Sequence, residues 1–160
     1  MNNKSASHVD DEISPYQLEQ FQRLVNRLYQ CCQERMQYQS DRFDLPDAEL
    51  RCLLLFGEER YLTPKGIAQK MNVVKSRISK IVDGLMKKGL VQRIKDPEDS
   101  RIYLLSLTPD GQRKINDIRY FMDDVHHQVL LRIPSEHRKL LLIDLDLLKS
   151  SMEAVKDMMD

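Results

Sequence analysis

The run Leu62-Thr63-Pro64-Lys65-Gly66-Ile67-Ala68-Gln69-Lys70-Met71-Asn72-Val73-Val74-Lys75-Ser76-Arg77-Ile78-Ser79-Lys80-Ile81-Val82-Asp83-Gly84-Leu85-Met86-Lys87-Lys88-Gly89 decides the fold. Thr63 before Pro64 is a cap followed by proline at the first helical position, and Ile67, Ala68 and Met71 give a short helix one apolar face. Asn72-Val73 makes a tight turn. A second helix follows over residues 74–88, with Ile78, Ile81, Val82 and Leu85 inward and Gly89 as a left-handed C-cap. Two short helices joined this way are a helix-turn-helix.

Toward the C-terminus, residues 90–95 and 101–107 are β-favouring runs separated by Asp96-Pro97-Glu98-Asp99-Ser100, a turn-rich tip, and together they predict a hairpin, or wing. Thr108-Pro109 starts another helix toward Arg132. Pro134 opens a last one carrying Leu140, Leu141, Ile143, Leu145, Leu147, Leu148 and Met152 on more than one face, which implies a partner surface. Toward the N-terminus, a helix is expected over residues 46–56, ended by Gly57. Before it, Ser14-Pro15-Tyr16-Gln17 has the pattern of a capping box. Leu18, Phe21, Leu24, Val25, Leu28, Cys32, Arg35 and Met36 then recur every three or four residues to about Ser40.

The length, 160 residues, suits one domain, and 41% hydrophobic content suffices for a core. The start is polar and acidic, not signal-like, and no apolar run approaches membrane-spanning length, so the cytoplasm is expected and no membrane partner. The formal net charge is zero, but it is segregated. Residues 60–101 hold 11 Lys/Arg against 4 Asp/Glu, a net of +7, while residues 1–59 are net −5 and residues 102–160 net −2. A polyanion would bind the central segment.

From Leu62 to Val73, through Ser79-Lys80-Ile81-Val82 and Lys88-Gly89-Leu90-Val91-Gln92-Arg93, to Asp96-Pro97-Glu98-Asp99-Ser100-Arg101 and Leu107-Thr108-Pro109-Asp110-Gly111, the chain resembles the MarR (multiple antibiotic resistance regulator) family. The resemblance implies a mainly α winged helix-turn-helix with a small β-hairpin wing. It also implies a homodimeric transcription regulator, repression of a pseudo-palindromic operator, and a small-molecule effector such as a phenolic compound or an oxidant. On this reading residues 1–13 are a flexible N-terminus, residues 14–45 and 109–160 a helical dimerisation region, and residues 46–108 the winged helix-turn-helix, all in one intertwined domain. Three positions depart from the family pattern: Val74 stands where a capping Ser is usual, Gly84 lies inside the second helix, and Ser100 replaces a second wing cation.

A helix in the major groove reads base edges with side chains near its N-terminus, which here are Lys75, Ser76, Arg77, Ser79 and Lys80. Arg77 suits guanine, whereas Lys75 and Lys80 suit phosphate. Thr63 and Lys65 are placed to meet the DNA backbone, with Lys95 and Arg101 added from the wing. Asp96 or Asp99 is expected to support the wing by holding Arg101.

Cys31, Cys32 and Cys52 are read first as core residues, with a peroxide- or thiol-responsive role as the alternative. Tyr16, Tyr29 and Tyr38 fit an aromatic effector pocket or ordinary interface packing. Consecutive His126-His127 do not converge on one ion, so no metal and no cofactor are expected. The chain lacks a P-loop, a nucleotide-binding glycine fingerprint and a nucleophile elbow, which speaks against an enzyme with catalytic residues. The remaining rival is a winged-helix protein-interaction module with weak or no DNA binding.

Overall fold

A computed structural model of the chain describes residues 12–57, 59–96, 99 and 103–159. The elements are α1 (Pro15–Phe43), α2 (Asp47–Leu55), α3 (Pro64–Met71), α4 (Lys75–Lys87), β1 (Val91–Lys95), β2 (Tyr103–Leu107), α5 (Pro109–Leu131) and α6 (Ser135–Asp157). They form a mainly helical, winged helix-turn-helix architecture, as the sequence predicts. Two compact units meet inside α2, one ending at Cys52 and the other beginning at Leu53. Most of the expected N-terminal arm, residues 1–11, lies outside the described residues.

In the first unit, the capping box forms as expected: Gln17 N–H donates to Ser14 Oγ (3.2 Å) and Ser14 N–H donates to Gln17 Oε1 (2.9 Å). The helix runs past Ser40, because its stop is conformational and not compositional. Asp44 takes a left-handed φ of 52°, and Leu45 N–H donates back to the Ser40 carbonyl (3.1 Å). Of the expected apolar stripe, Leu18, Phe21, Leu24 and Leu28 remain exposed on the chain.

In the second unit, Thr63 Oγ1 accepts from Gly66 N–H (3.0 Å) and so caps α3. The helix-turn-helix corner is made by Asn72, whose φ of 53° is tolerated because a short polar side chain visits the left-handed region. Val73 N–H donates to Ala68 O (3.1 Å) and Asn72 N–H to Gln69 O (3.2 Å), the paired bonds of a Schellman ending. The far end of α4 repeats the device: Gly89 has φ 69°, its N–H donates to Met86 O (2.9 Å), and Leu90 N–H donates to Leu85 O (3.0 Å). Leu85 and Leu90, the hydrophobic pair that accompanies this motif, are both buried.

Leu90 leads directly into the wing, an antiparallel pair with Val91 opposite Leu107, Arg93 opposite Leu105 and Lys95 opposite Tyr103. A third segment joins it that the sequence did not announce. Leu62 and Leu105 exchange backbone hydrogen bonds in both directions (3.0 and 2.8 Å), tying the start of α3 to β2 through a single bridge. One isolated pair leaves no periodicity to read.

The Leu-Thr-x-x-Gly sequence at the start of α5 has a steric reason. Thr108 Oγ1 accepts from Gly111 N–H (3.0 Å) and donates to the Gly89 carbonyl (2.5 Å), and Thr108 N–H donates to the Leu90 carbonyl (3.0 Å). That carbonyl passes so close to Gly111 that a Cβ there would lie 2.0 Å from its oxygen. Gly111→Ala is therefore expected to destabilise the fold by about 3 kcal/mol, lowering the melting temperature by roughly 6–12 °C. Gly89→Ala meets no atom within 4 Å. It should cost only the left-handed backbone penalty of about 1–2 kcal/mol. Thermal unfolding followed by circular dichroism ranks the two.

Candidate nucleic-acid interface

The surface of α4 is divided by its own periodicity. Ile78, Ile81, Val82 and Leu85 are buried, which leaves Lys75, Ser76, Arg77, Ser79, Lys80 and Asp83 exposed. Ser76, Ser79, Lys80 and Asp83 follow at three- and four-residue spacing and share one outward stripe. Val74 makes no side-chain cap, so the first amides of α4 point outward without a protein side chain to receive them. Such an end carries partial positive charge. Gly84 is half-buried within the helix.

Beside that end lies an open groove of about 420 Å³ lined by Lys65, Ala68, Gln69, Asn72, Val73, Val74 and Lys75. Two ammonium groups thus stand on its rim, one from α3 and one from α4. Thr63, half-buried, uses its hydroxyl oxygen as the α3 cap, so it presents that helix start as well as itself. The structure brings Lys65 and Lys75 to one groove, and sets Arg77, Ser79 and Lys80 on the adjoining exposed face.

On the wing, Lys95 is exposed at the tip end of β1. Asp96 Oδ1 accepts from Asp99 N–H (3.3 Å), so this carboxylate braces the turn itself. Arg101 lies outside the described residues, and with it the expected Asp–Arg101 pairing. The sequence reading passed over Arg93. Its guanidinium lies 3.5 Å from Asp83 Oδ1 on α4 and 4.6 Å from the centre of the Tyr103 ring on β2. The signal available was the two-residue alternation of β1, which puts Arg93 on one face with Val91 and Lys95.

Residues 43–102 match the sequence model of the MarR family. The winged-helix core belongs to the MarR family. Among relatives, the HTH-type transcriptional regulator YdgJ of Bacillus subtilis is 29% identical over 94 residues, 59% of this chain and 56% of YdgJ. The HTH-type transcriptional repressor YetL of the same organism is 33% identical over 63 residues, 39% of this chain and 38% of YetL. The chain thus matches little more than half of one relative and less of the other. Streptococcus pneumoniae FabT, solved in complex with DNA, shares the fold with a TM-score of 0.75 at 17% identity, over 84% of this chain and 99% of FabT.

The MarR-family core extends to α2, where the cysteine reading separates. Cys52 is buried, and desolvation, helped by the Glu49 carboxylate, pushes its thiol from 9.0 up to about 12. Cys31 and Cys32 are exposed on α1, as are Tyr16, Tyr29 and Tyr38. His126 and His127 are exposed on α5, and among the described residues no three His, Cys, Asp or Glu gather to hold a metal ion. Reactivity follows the thiolate. Iodoacetamide at pH 8 is therefore expected to leave Cys52 unmodified in the native protein and to alkylate it in guanidinium, as read by peptide mass spectrometry. Both causes penalise the thiolate, so the fold carries no cost from this group below about pH 9 and loses stability as pH rises from there toward 12.

Proposed function

We propose that this MarR-family chain is a sequence-specific, double-stranded DNA-binding transcription regulator. In this reading it represses as a cytoplasmic homodimer on a pseudo-palindromic operator and is released by a small-molecule effector. The observation that carries the reading is the exposed face of α4, with Lys75, Ser76, Arg77, Ser79 and Lys80 around an uncapped helix start. Arg77 is assigned to base edges. Lys65, Lys75, Lys80 and Lys95 are assigned to phosphate, with Thr63 presenting the start of α3 and Arg101 extending the wing. FabT, of the same fold, was solved with DNA, and YetL is named a repressor, which supports the same assignment.

Dimerisation is drawn from the helices that flank the core. No residue of α6 is buried, and Leu140, Leu142, Ile143, Leu145 and Leu147 stand about half or more exposed, an apolar surface that a lone chain leaves in water. A two-fold axis through such helices would present two copies of α4 to successive major grooves, one helical turn apart. Among the described residues no helix is long and apolar enough to cross a membrane.

Fluorescence anisotropy with labelled duplex tests the interface directly. Binding should weaken with salt at a log–log slope of about −0.9 per neutralised phosphate. Arg77→Ala with Lys80→Ala should abolish sequence preference and reduce the slope by about 1 to 2. Salt-independent binding, or none at low salt, would hand the fold to the protein-interaction reading. Sedimentation equilibrium should give a dimer, and Ile143→Asp with Leu147→Asp should give a folded monomer that has lost operator binding.

A further inference from the structure

Asp83 is the anomaly of the α4 face. It lies one turn beyond Ser79 and Lys80 on the same exposed stripe, in a segment otherwise dominated by cations. A bare carboxylate there would repel phosphate. The charge is met by Arg93, whose Nη2 lies 3.5 Å from Asp83 Oδ1. Both side chains are about half exposed, so the pair contributes little to stability, and its meaning lies in geometry.

Arg93 also stacks over Tyr103 at 4.6 Å. In the hairpin register Arg93 faces Leu105 and Lys95 faces Tyr103, so Tyr103 is the diagonal neighbour that the planar guanidinium can cover while its edge turns to Asp83. One side chain therefore joins the recognition helix to both strands of the wing. Lys95 is two residues further along β1, on the same face as Arg93.

We propose that Arg93 is a positioning residue, clamped between Asp83 and Tyr103, that sets the angle of the wing to α4 and so the spacing between the base-reading side chains and Lys95. This inference rests on the DNA-binding reading above. It makes an opposite prediction to simple electrostatics. Removing an acid from a DNA-facing surface should tighten binding, whereas loosening the clamp should weaken it.

Asp83→Asn and Arg93→Gln are compared with wild type by anisotropy on one operator duplex, alongside the exchanged pair Asp83→Arg with Arg93→Asp. Each single variant is expected to weaken binding about fivefold, and the exchanged pair, which restores the ion pair with Asp83 but not the stack on Tyr103, to regain only part of that loss. Amide hydrogen exchange on the DNA-free proteins should show faster exchange at Val91–Lys95 in both single variants and partial recovery in the exchanged pair. An Asp83→Asn variant that binds as tightly as wild type, or tighter, overturns the clamp. A wild type that fails to bind duplex at any salt overturns the DNA reading instead. The exchange data then decide the clamp alone, and unchanged protection in Asp83→Asn rejects it.

Discussion

The Leu90 carbonyl is the point about which the winged helix is organised. It receives the Thr108 N–H and passes over Gly111, so the end of α4, the root of the wing and the start of α5 meet at one peptide group. Gly89 supplies the left-handed turn that brings the chain there, and the Thr108 hydroxyl bonds to the carbonyl of that same glycine. Each group in this corner is satisfied by another in it. These pairings couple positions far apart in the sequence at one corner.

Around that corner, charge and burial divide the labour of α4. Four apolar side chains hold the helix to the core, and everything on the other face is left to interact with something else. The first turn is uncapped, so backbone dipoles add to the lysines that surround it. A chain of zero net charge can bind a polyanion under these conditions because fields act locally. Screening over about 8–10 Å lets the basic face act through its local charge and not through the net charge of the chain. Asp83 is the exception within the basic face, and its Arg93 partner turns a liability into a contact between helix and wing.

The flanking helices have the opposite character. Exposed leucines on α1 and α6 represent apolar area that water disfavours at about 25 cal/mol per Å². That apolar area is what the proposed homodimer would cover. Cys31 and Cys32 share this exposed class, while Cys52 is buried and its thiol is pushed up to about 12.

Caps and breakers wrote the helical order plainly. Ser14-Pro15, Thr63-Pro64 and Thr108-Pro109 each start a helix where expected, since the side-chain acceptor and the fixed proline φ act within four residues. The segregation of charge and the MarR-family core were equally legible. The end of α1 at Asp44, the Leu62–Leu105 bridge and the Asp83–Arg93–Tyr103 contact were not. Local chemistry is encoded in neighbouring letters, so the sequence by itself determined the elements and the basic face. Pairings between residues far apart along the chain depend on how the elements come together, and only the tertiary structure decided that Arg93 would face an acid and a ring.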